Sequence, residues 1–540
     1  MNKILKWTLR LSGILLLLVL ILGIAIYTQL PKQIGTPPKL QTGLFEKPKT
    51  SYPMEGRFIY RSASELAKMI KSGEATSVEI VREYINNIKN NNWKYNAIVW
   101  LREEEALLEA KLADEKVSLG DTTQPLLGVP VTIKEQFGLK GFPCTLNAKR
   151  LGIIAREDAE VVKQIKNAGA IIIGSTNLSL MVSYNETFGE IYPTGNNPFD
   201  TTRTPGGSTG GGAAALAAGF TALSLGADAG GSIRIPAAFC GVYGFKPSFG
   251  AINITKGVMP FELMKGSKFG IASAGPLART AEDLEMYWQI LMKTPIDNRF
   301  QEKINWQASS EQTLEQYNVA WMDEWQHGDD VVRIGSDVKS KLNSLIESLK
   351  KQGVFVTKDA PDTYDEMYRI WGGMLFQVTT QDENWLVRKV IKMSMSKMDN
   401  GDEFFDEIGT SLDDNSTEYW NKLLTDQKLL IEKIESFFKN YNFLVLPLTY
   451  GPAFTKCNAC AFLPDENGEP MHYIDYFPYA AIFNASGHPA VVVPMGLNAD
   501  GLPIGIQIVG PMFSDPKLLH FIKLLKPLIP GFAAPTNSEF

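Results

Sequence analysis

The chain has 540 residues, 44% of them hydrophobic, which is enough to bury a large core and to build more than one structural unit. Its 53 basic and 59 acidic residues leave a net charge of −6, so no basic excess points to nucleic acid. Its four cysteines, Cys144, Cys240, Cys457 and Cys460, are too few for a disulfide scaffold.

The first element is a continuous apolar run at residues 11–27. As a helix it would span roughly 25 Å, close to the hydrocarbon thickness of a bilayer. Lys3, Lys6 and Arg10 precede it, and Lys32 and Lys39 follow. That bias places the N-terminus in the cytoplasm and the body outside it, on a single-pass membrane anchor over residues 1–30. The alternative is a signal peptide cleaved near Gly23-Ile24-Ala25, giving a secreted body, although the run exceeds a usual signal core. Residues 31–58, rich in Pro, Lys and Thr, are expected to be a tether.

The body is expected over residues 59–528, with a tail at 529–540. Residues 64–70 carry a helix cap and apolar side chains at helical spacing. Thr76-Ser77-Val78-Glu79 is a capping box, and Ile80, Tyr84, Ile85 and Ile88 continue its apolar stripe. Residues 126–133 are short, apolar and β-branched, as a buried strand requires. A helix at 159–168 and a second buried strand at 170–174 follow, an alternation that argues for an α/β sheet. The small, alanine-rich stretch 211–219 fits a tightly packed helix, and residues 444–447 and 490–494 add late strands. Between them, residues 297–440 are more polar and aromatic, with helical patterns at 367–378 and 418–438, and substrate-specific elements are expected there. Cys457-Asn458-Ala459-Cys460 allows a redox pair, half a zinc site or a local disulfide. With no second C-x-x-C and only His472 nearby, the expectation is ordinary loop cysteines.

Two glycine-rich loops carry serines. In Asp228-Ala229-Gly230-Gly231-Ser232, consecutive N–H groups with little side-chain bulk lead into a helix expected at 232–238. Such a turn can aim several donors at one developing oxyanion, with Ser232 beside them as nucleophile. The bland alternative is a structural turn capped by serine. Gly206-Gly207-Ser208-Thr209-Gly210-Gly211-Gly212 lacks the G-K-[ST] ending of a phosphate loop and is not a dinucleotide fingerprint. Its glycines permit an unusual backbone at Ser208, which is otherwise a loop serine. The four histidines, His327, His472, His488 and His520, lie outside these loops, and no G-x-S-x-G elbow surrounds either serine. Lys134 follows the apolar residues 129–133, where desolvation can lower an amine pKa from its ordinary value near 10.4. It can equally be a lysine that ends a strand.

Taken together, Gly128-Val129-Pro130-Val131-Thr132-Ile133-Lys134, Asn196-Asn197-Pro198-Phe199-Asp200 with the Ser208 loop, Gly226 through Pro236, Gly241-Val242-Tyr243-Gly244-Phe245-Lys246-Pro247, Gly487-His488-Pro489-Ala490 and Gly501-Leu502-Pro503-Ile504-Gly505-Ile506-Gln507 resemble the amidase signature family in ordered blocks. The resemblance covers residues 62–525. It implies an α/β amidase signature fold, a large mixed β-sheet flanked by helices, and cleavage of carboxamide C–N bonds through an acyl-enzyme. It assigns Ser232 as nucleophile, Lys134 as base, and Ser208, behind a cis peptide, as the proton shuttle. It also implies an oxyanion hole from the N–H groups of Ala229, Gly230, Gly231 and Ser232, with Asp228, Arg234 and Thr209 in support. Met181, Val182 and Tyr184 fall where the family places part of its acyl pocket, or else they are core. Three positions depart from the common pattern: Thr209 replaces a serine, Leu180-Met181 an often acidic site, and Leu448 a threonine.

No metal or organic cofactor is implied. The expected partners are a small amide substrate and, through the anchor, a membrane, and the chain is compatible with a homodimer. An anchor ahead of an amidase body is similar to the arrangement of fatty acid amide hydrolases. The rivals are a glutamyl-tRNA amidotransferase A-type subunit and a catalytically inactive surface binding protein on the same fold.

Overall fold

A computed structural model describes residues 34–36, 38–254, 256–259, 270–293, 301–304, 312–327, 330–380, 385–395, 403–414 and 416–536. The anchor expected at 11–27 lies outside them. Among the described residues no helix is long and apolar enough to cross a membrane. Much of the stretch expected as a tether is seen against the body. Ile34–Gly35 pairs in parallel with Leu151–Gly152. The Gln41 amide donates to the Leu101 carbonyl at 3.1 Å and accepts the Leu101 N–H at 2.8 Å.

Local chemistry sets the first helices. Ser62 caps helix Ala63–Ser72 in a capping box with Glu65, two residues ahead of the expected start. Thr76 and Glu79 form the expected box at the start of helix Ser77–Tyr95, which ends on Asn96 in the left-handed conformation.

Among the described residues, eleven strands form one mixed sheet. In chain order they are β1 (Ile98–Leu101), β2 (Pro130–Lys134), β3 (Ile171–Thr176), β4 (Leu223–Asp228), β5 (Tyr243–Lys246), β6 (Ser273–Ala278), β7 (Asn318–Trp321), β8 (Phe355–Lys358), β9 (Phe443–Leu446), β10 (Ala490–Leu497) and β11 (Pro503–Val509). Their spatial order is β8-β7-β9-β11-β10-β5-β6-β4-β2-β3-β1. The three strands β4, β2 and β3 are mutually parallel neighbours, buried along their whole length. Strands buried on both faces have near-continuous apolar sequences, which is why 129–133 and 170–174 were recognisable.

Parallel register puts the carboxyl ends of β2 and β4 side by side. Lys134 ends one and Asp228 the other, at the edge where parallel sheets build their sites. Helix Gly210–Ala217 is wholly buried behind them. A Cβ at Gly211 would fall 2.4 Å from the Asn177 amide nitrogen, so only glycine lets this helix approach the end of β3. The aromatic stretch supplies helices Tyr364–Thr380 and Thr417–Phe437, which enclose a second apolar cluster with Tyr479, Ile482 and Phe483.

The expectation for the C-x-x-C motif is corrected. Cys457 and Cys460 form a disulfide with their Cα atoms 5.4 Å apart, while Cys144 and Cys240 are buried and not disulfide-bonded. Asn458 (φ 55) and Ala459 (φ 61) turn left-handed and bring the two cysteines within bonding reach. Their N–H groups are held by the carboxylate of Glu186, far upstream, so the local sequence carries no sign of the turn.

Candidate active site

Lys134 is completely buried, and its Nζ donates to Ser208 Oγ at 2.7 Å. Burial strips the ammonium of water and lowers its pKa to about 7; the negative charge of Asp228 opposes this but does not win. The amine can therefore lose its proton near neutrality. Ser208 follows a cis Gly207–Ser208 peptide and is itself buried. The next N–H, of Thr209, donates to the Ser232 carbonyl at 3.1 Å, and the Thr209 hydroxyl donates to the Ala227 carbonyl at 3.3 Å. The two glycine loops are thus tied to each other beside the lysine. Ser232 is partly exposed, so the cluster opens outward on its side.

Asp228 organises the second loop. Its carboxylate accepts the N–H groups of Gly231 at 2.8 Å and Ile233 at 3.1 Å, and pairs with Arg234 through Nε at 3.0 Å and Nη2 at 2.9 Å. Burial by itself would raise this carboxyl. The Arg234 guanidinium and the Gly231 N–H outweigh it and hold Asp228 well below the usual carboxylate range. Of the four N–H groups expected around an oxyanion, that of Gly231 is therefore turned to Asp228. The helix expected at 232–238 spans Arg234–Phe239.

Arg234 also donates to Gln507 at 3.0 Å and to Asn484 at 2.5 Å. Asn484 Nδ2 in turn donates to the Asp228 carboxylate at 3.0 Å. Sequence reasoning gave neither residue a role, although Gln507 closed one of the motif blocks. Glu135 was missed too. It accepts from the Thr145 N–H and hydroxyl, the Leu146 N–H and the Tyr192 hydroxyl at 2.6–3.0 Å, and burial pushes it up to about 7 against those bonds. Lys246 is a second fully buried amine, lowered to about 7 by burial and by the nearby Arg234.

The residues expected at the pocket lie in two places. The Tyr184 backbone abuts the serine loop: a Cβ at Gly207 would lie 2.4 Å from the Tyr184 carbonyl oxygen. Met181 and Val182, at positive φ, pack instead on a cluster with Trp100, Leu146 and Tyr192. The group that covers the Gly230-Gly231-Ser232 turn comes from the aromatic stretch. Trp371 Nε1 donates to the Ala229 carbonyl at 2.7 Å, and a Cβ at Gly230 would meet the Trp371 ring at 2.6 Å. Tyr368 stacks on Trp371, and Tyr364 on Tyr368, each at 5.8 Å between ring centroids.

Both ring nitrogens of His488 are engaged, by Ser486 at 2.8 Å and Glu435 at 2.9 Å. Among the described residues no group of three or more His, Cys, Asp or Glu side chains is placed to hold a metal ion.

Residues 79–519 match the sequence model of the Amidase family. The chain is 31% identical over 524 residues to fatty-acid amide hydrolase 2 of Homo sapiens, covering 90% of this chain and 92% of that protein. It is 30% identical over 506 residues to the A-type subunit of the glutamyl-tRNA(Gln) amidotransferase of Rhodopirellula baltica, covering 85% and 94%. The solved structure of a fatty acid amide hydrolase superposes with a TM-score of 0.71 at 20% identity, over 88% of this chain and 86% of that one, which is a likeness of fold.

Proposed function

The chain belongs to the amidase signature family and is an amidohydrolase, and from that premise we propose that it cleaves carboxamides through an acyl-enzyme on Ser232. Neutral Lys134 takes the proton of Ser208 as Ser208 takes that of Ser232. The Ser232 oxygen then adds to the amide carbon. The N–H groups of Ala229, Gly230 and Ser232 receive the developing oxyanion, while Gly231 stays with Asp228 to hold the turn. The proton returns through Ser208 to the nitrogen, the C–N bond breaks and the amine leaves. Water adds to the acyl-enzyme by the same relay and frees the acid and Ser232. The observation that carries this reading is the 2.7 Å contact of a fully buried lysine with a serine whose neighbour is bonded to Ser232. The test is Ser232→Ala. It should lose fluorophosphonate labelling and amide turnover by about 10³-fold or more while remaining folded. Undiminished turnover would reject Ser232.

Apolar acyl amides are the proposed substrates. The stacked face of Tyr364, Tyr368 and Trp371 beside Gly230 supports an uncharged acyl group. The similarity to fatty-acid amide hydrolase 2 points the same way. A second reading, as the A-type subunit of a glutamyl-tRNA(Gln) amidotransferase, is favoured by the comparable identity to such proteins. It requires turnover only in the presence of partner subunits, so hydrolysis of simple amides by the chain alone separates the two. The apolar run at 11–27 supports single-pass anchoring with the body outside the cytoplasm. The Cys457–Cys460 disulfide suits such an oxidising compartment.

A further inference from the structure

We propose that Glu186 is a positioning residue of the amidase site, and that the Cys457–Cys460 disulfide, by shaping the backbone nest around its carboxylate, makes turnover depend on thiol redox state. The inference rests on Ser208 acting as the proton shuttle.

Glu186 is 1% exposed. Its carboxylate accepts three successive N–H groups of the disulfide loop: Cys457 at 3.0 Å, Asn458 at 3.4 Å and Ala459 at 2.7 Å. Successive amides converge on one anion only when the backbone is held in a nest, here with Asn458 and Ala459 both left-handed. The disulfide closes this nest, and the Cys460 N–H donates to Cys457 Sγ at 3.2 Å across it.

The other side of Glu186 is the serine loop. A Cβ at Gly207 would fall 2.6 Å from both the nitrogen and the carbonyl oxygen of Glu186, so the two backbones are in direct contact. The adjacent Thr187 hydroxyl donates to the Gly206 carbonyl at 2.7 Å. Glu186 and Thr187 therefore hold the two residues immediately before Ser208, whose hydroxyl must stay 2.7 Å from Lys134 Nζ for the relay. The disulfide loop is anchored independently: the Thr204 N–H donates to the Phe454 carbonyl at 3.0 Å, and the Lys456 N–H to the Thr202 carbonyl at 3.2 Å. A path of contacts thus runs from the disulfide to the shuttle.

A dithiol reductant breaks the S–S bond. Two electrons and two protons pass to Cys457 and Cys460, and the dithiol becomes its own disulfide. The freed loop regains backbone entropy, the three N–H groups no longer converge, and the buried carboxylate shifts with the backbone it carries. Cys144 and Cys240 are buried and form no disulfide, so the two new thiols belong to this loop.

The experiment measures kcat and KM of the wild-type chain before and after dithiothreitol, with thiol titration and circular dichroism, and again after reoxidation. Misplacing a relay group should lower kcat about ten- to hundredfold, with KM changed less than about twofold and the spectrum unchanged. Reoxidation should restore the rate. Cys457→Ser with Cys460→Ser should hold the low rate whatever the reductant. Glu186→Gln should be slow when oxidised and lose nothing more on reduction. Full reduction that leaves kcat unchanged overturns the inference alone, as does a Glu186→Gln variant with wild-type kcat. Absence of amide turnover by the oxidised wild type overturns the amidase reading, and this inference with it.

Discussion

A lysine amine enclosed by protein gives up its proton near neutrality, and Lys134 is such an amine. Its protonated form cannot accept the Ser208 proton. kcat/KM should therefore rise about tenfold per pH unit below pH about 7 and level off above it. Lys134→Met should lose most activity and this limb together; a wild-type rate and profile in that variant would make Lys134 structural. Stability carries the same signature. The folded-state pKa lies near 7 against 10.5 ordinarily, so the unfolded chain binds the extra proton throughout that window. The penalty is fully present below pH about 7 and relieved as pH rises, so the stability gap between Lys134→Met and wild type should close by about 1.4 kcal/mol per pH unit between those values. Chemical denaturation at several pH values reads this directly. Lys246 shows that burial alone does not make a relay: its amine is lowered as far, yet it bonds the Pro247 carbonyl rather than a serine.

At the scale of elements, the turn that carries the proposed nucleophile Ser232 is held from three directions. Asp228 and Arg234 tie it within itself, Asn484 and Gln507 tie it to the C-terminal segments, and helix Tyr364–Thr380 lays Trp371 across it. The turn has no slack on the Trp371 side, because any side chain at Gly230 meets that ring. If this aromatic face binds the acyl chain, each buried methylene contributes up to about 0.8 kcal/mol, or three- to fourfold in kcat/KM. Wild-type specificity should then climb from acetamide through hexanamide to decanamide. Trp371→Leu should flatten that climb, lowering the decanamide value more than the acetamide one. A series that is already flat in the wild type would remove the apolar-acyl reading.

At the scale of the molecule, one large sheet sets the candidate site by placing the carboxyl ends of two parallel strands together, and the disulfide loop, from a distant part of the chain, reaches the Ser208 loop through Glu186. With the body proposed outside the cytoplasm, protease added to intact cells with any outer barrier permeabilised should digest it. Protection there, followed by digestion only after lysis of the inner membrane, would reverse the topology.

The sequence by itself determined the local elements and marked the segments that resemble the family's motif blocks. The capping box at Thr76 and the apolar strands at 129–133 and 170–174 are short-range patterns, and the glycines and apolar runs beside Lys134, Ser208 and Ser232 carry the family resemblance from which their proposed roles come. Only the tertiary structure decided that Gly231 faces Asp228 rather than the open side, that Trp371 covers the Gly230 turn, and that Glu186 gathers the Cys457–Cys460 loop. Those contacts, apart from Asp228 to Gly231, join segments more than a hundred residues apart. Hydrogen bonds between separately built elements follow from packing and leave no periodicity or spacing in the chain that makes them.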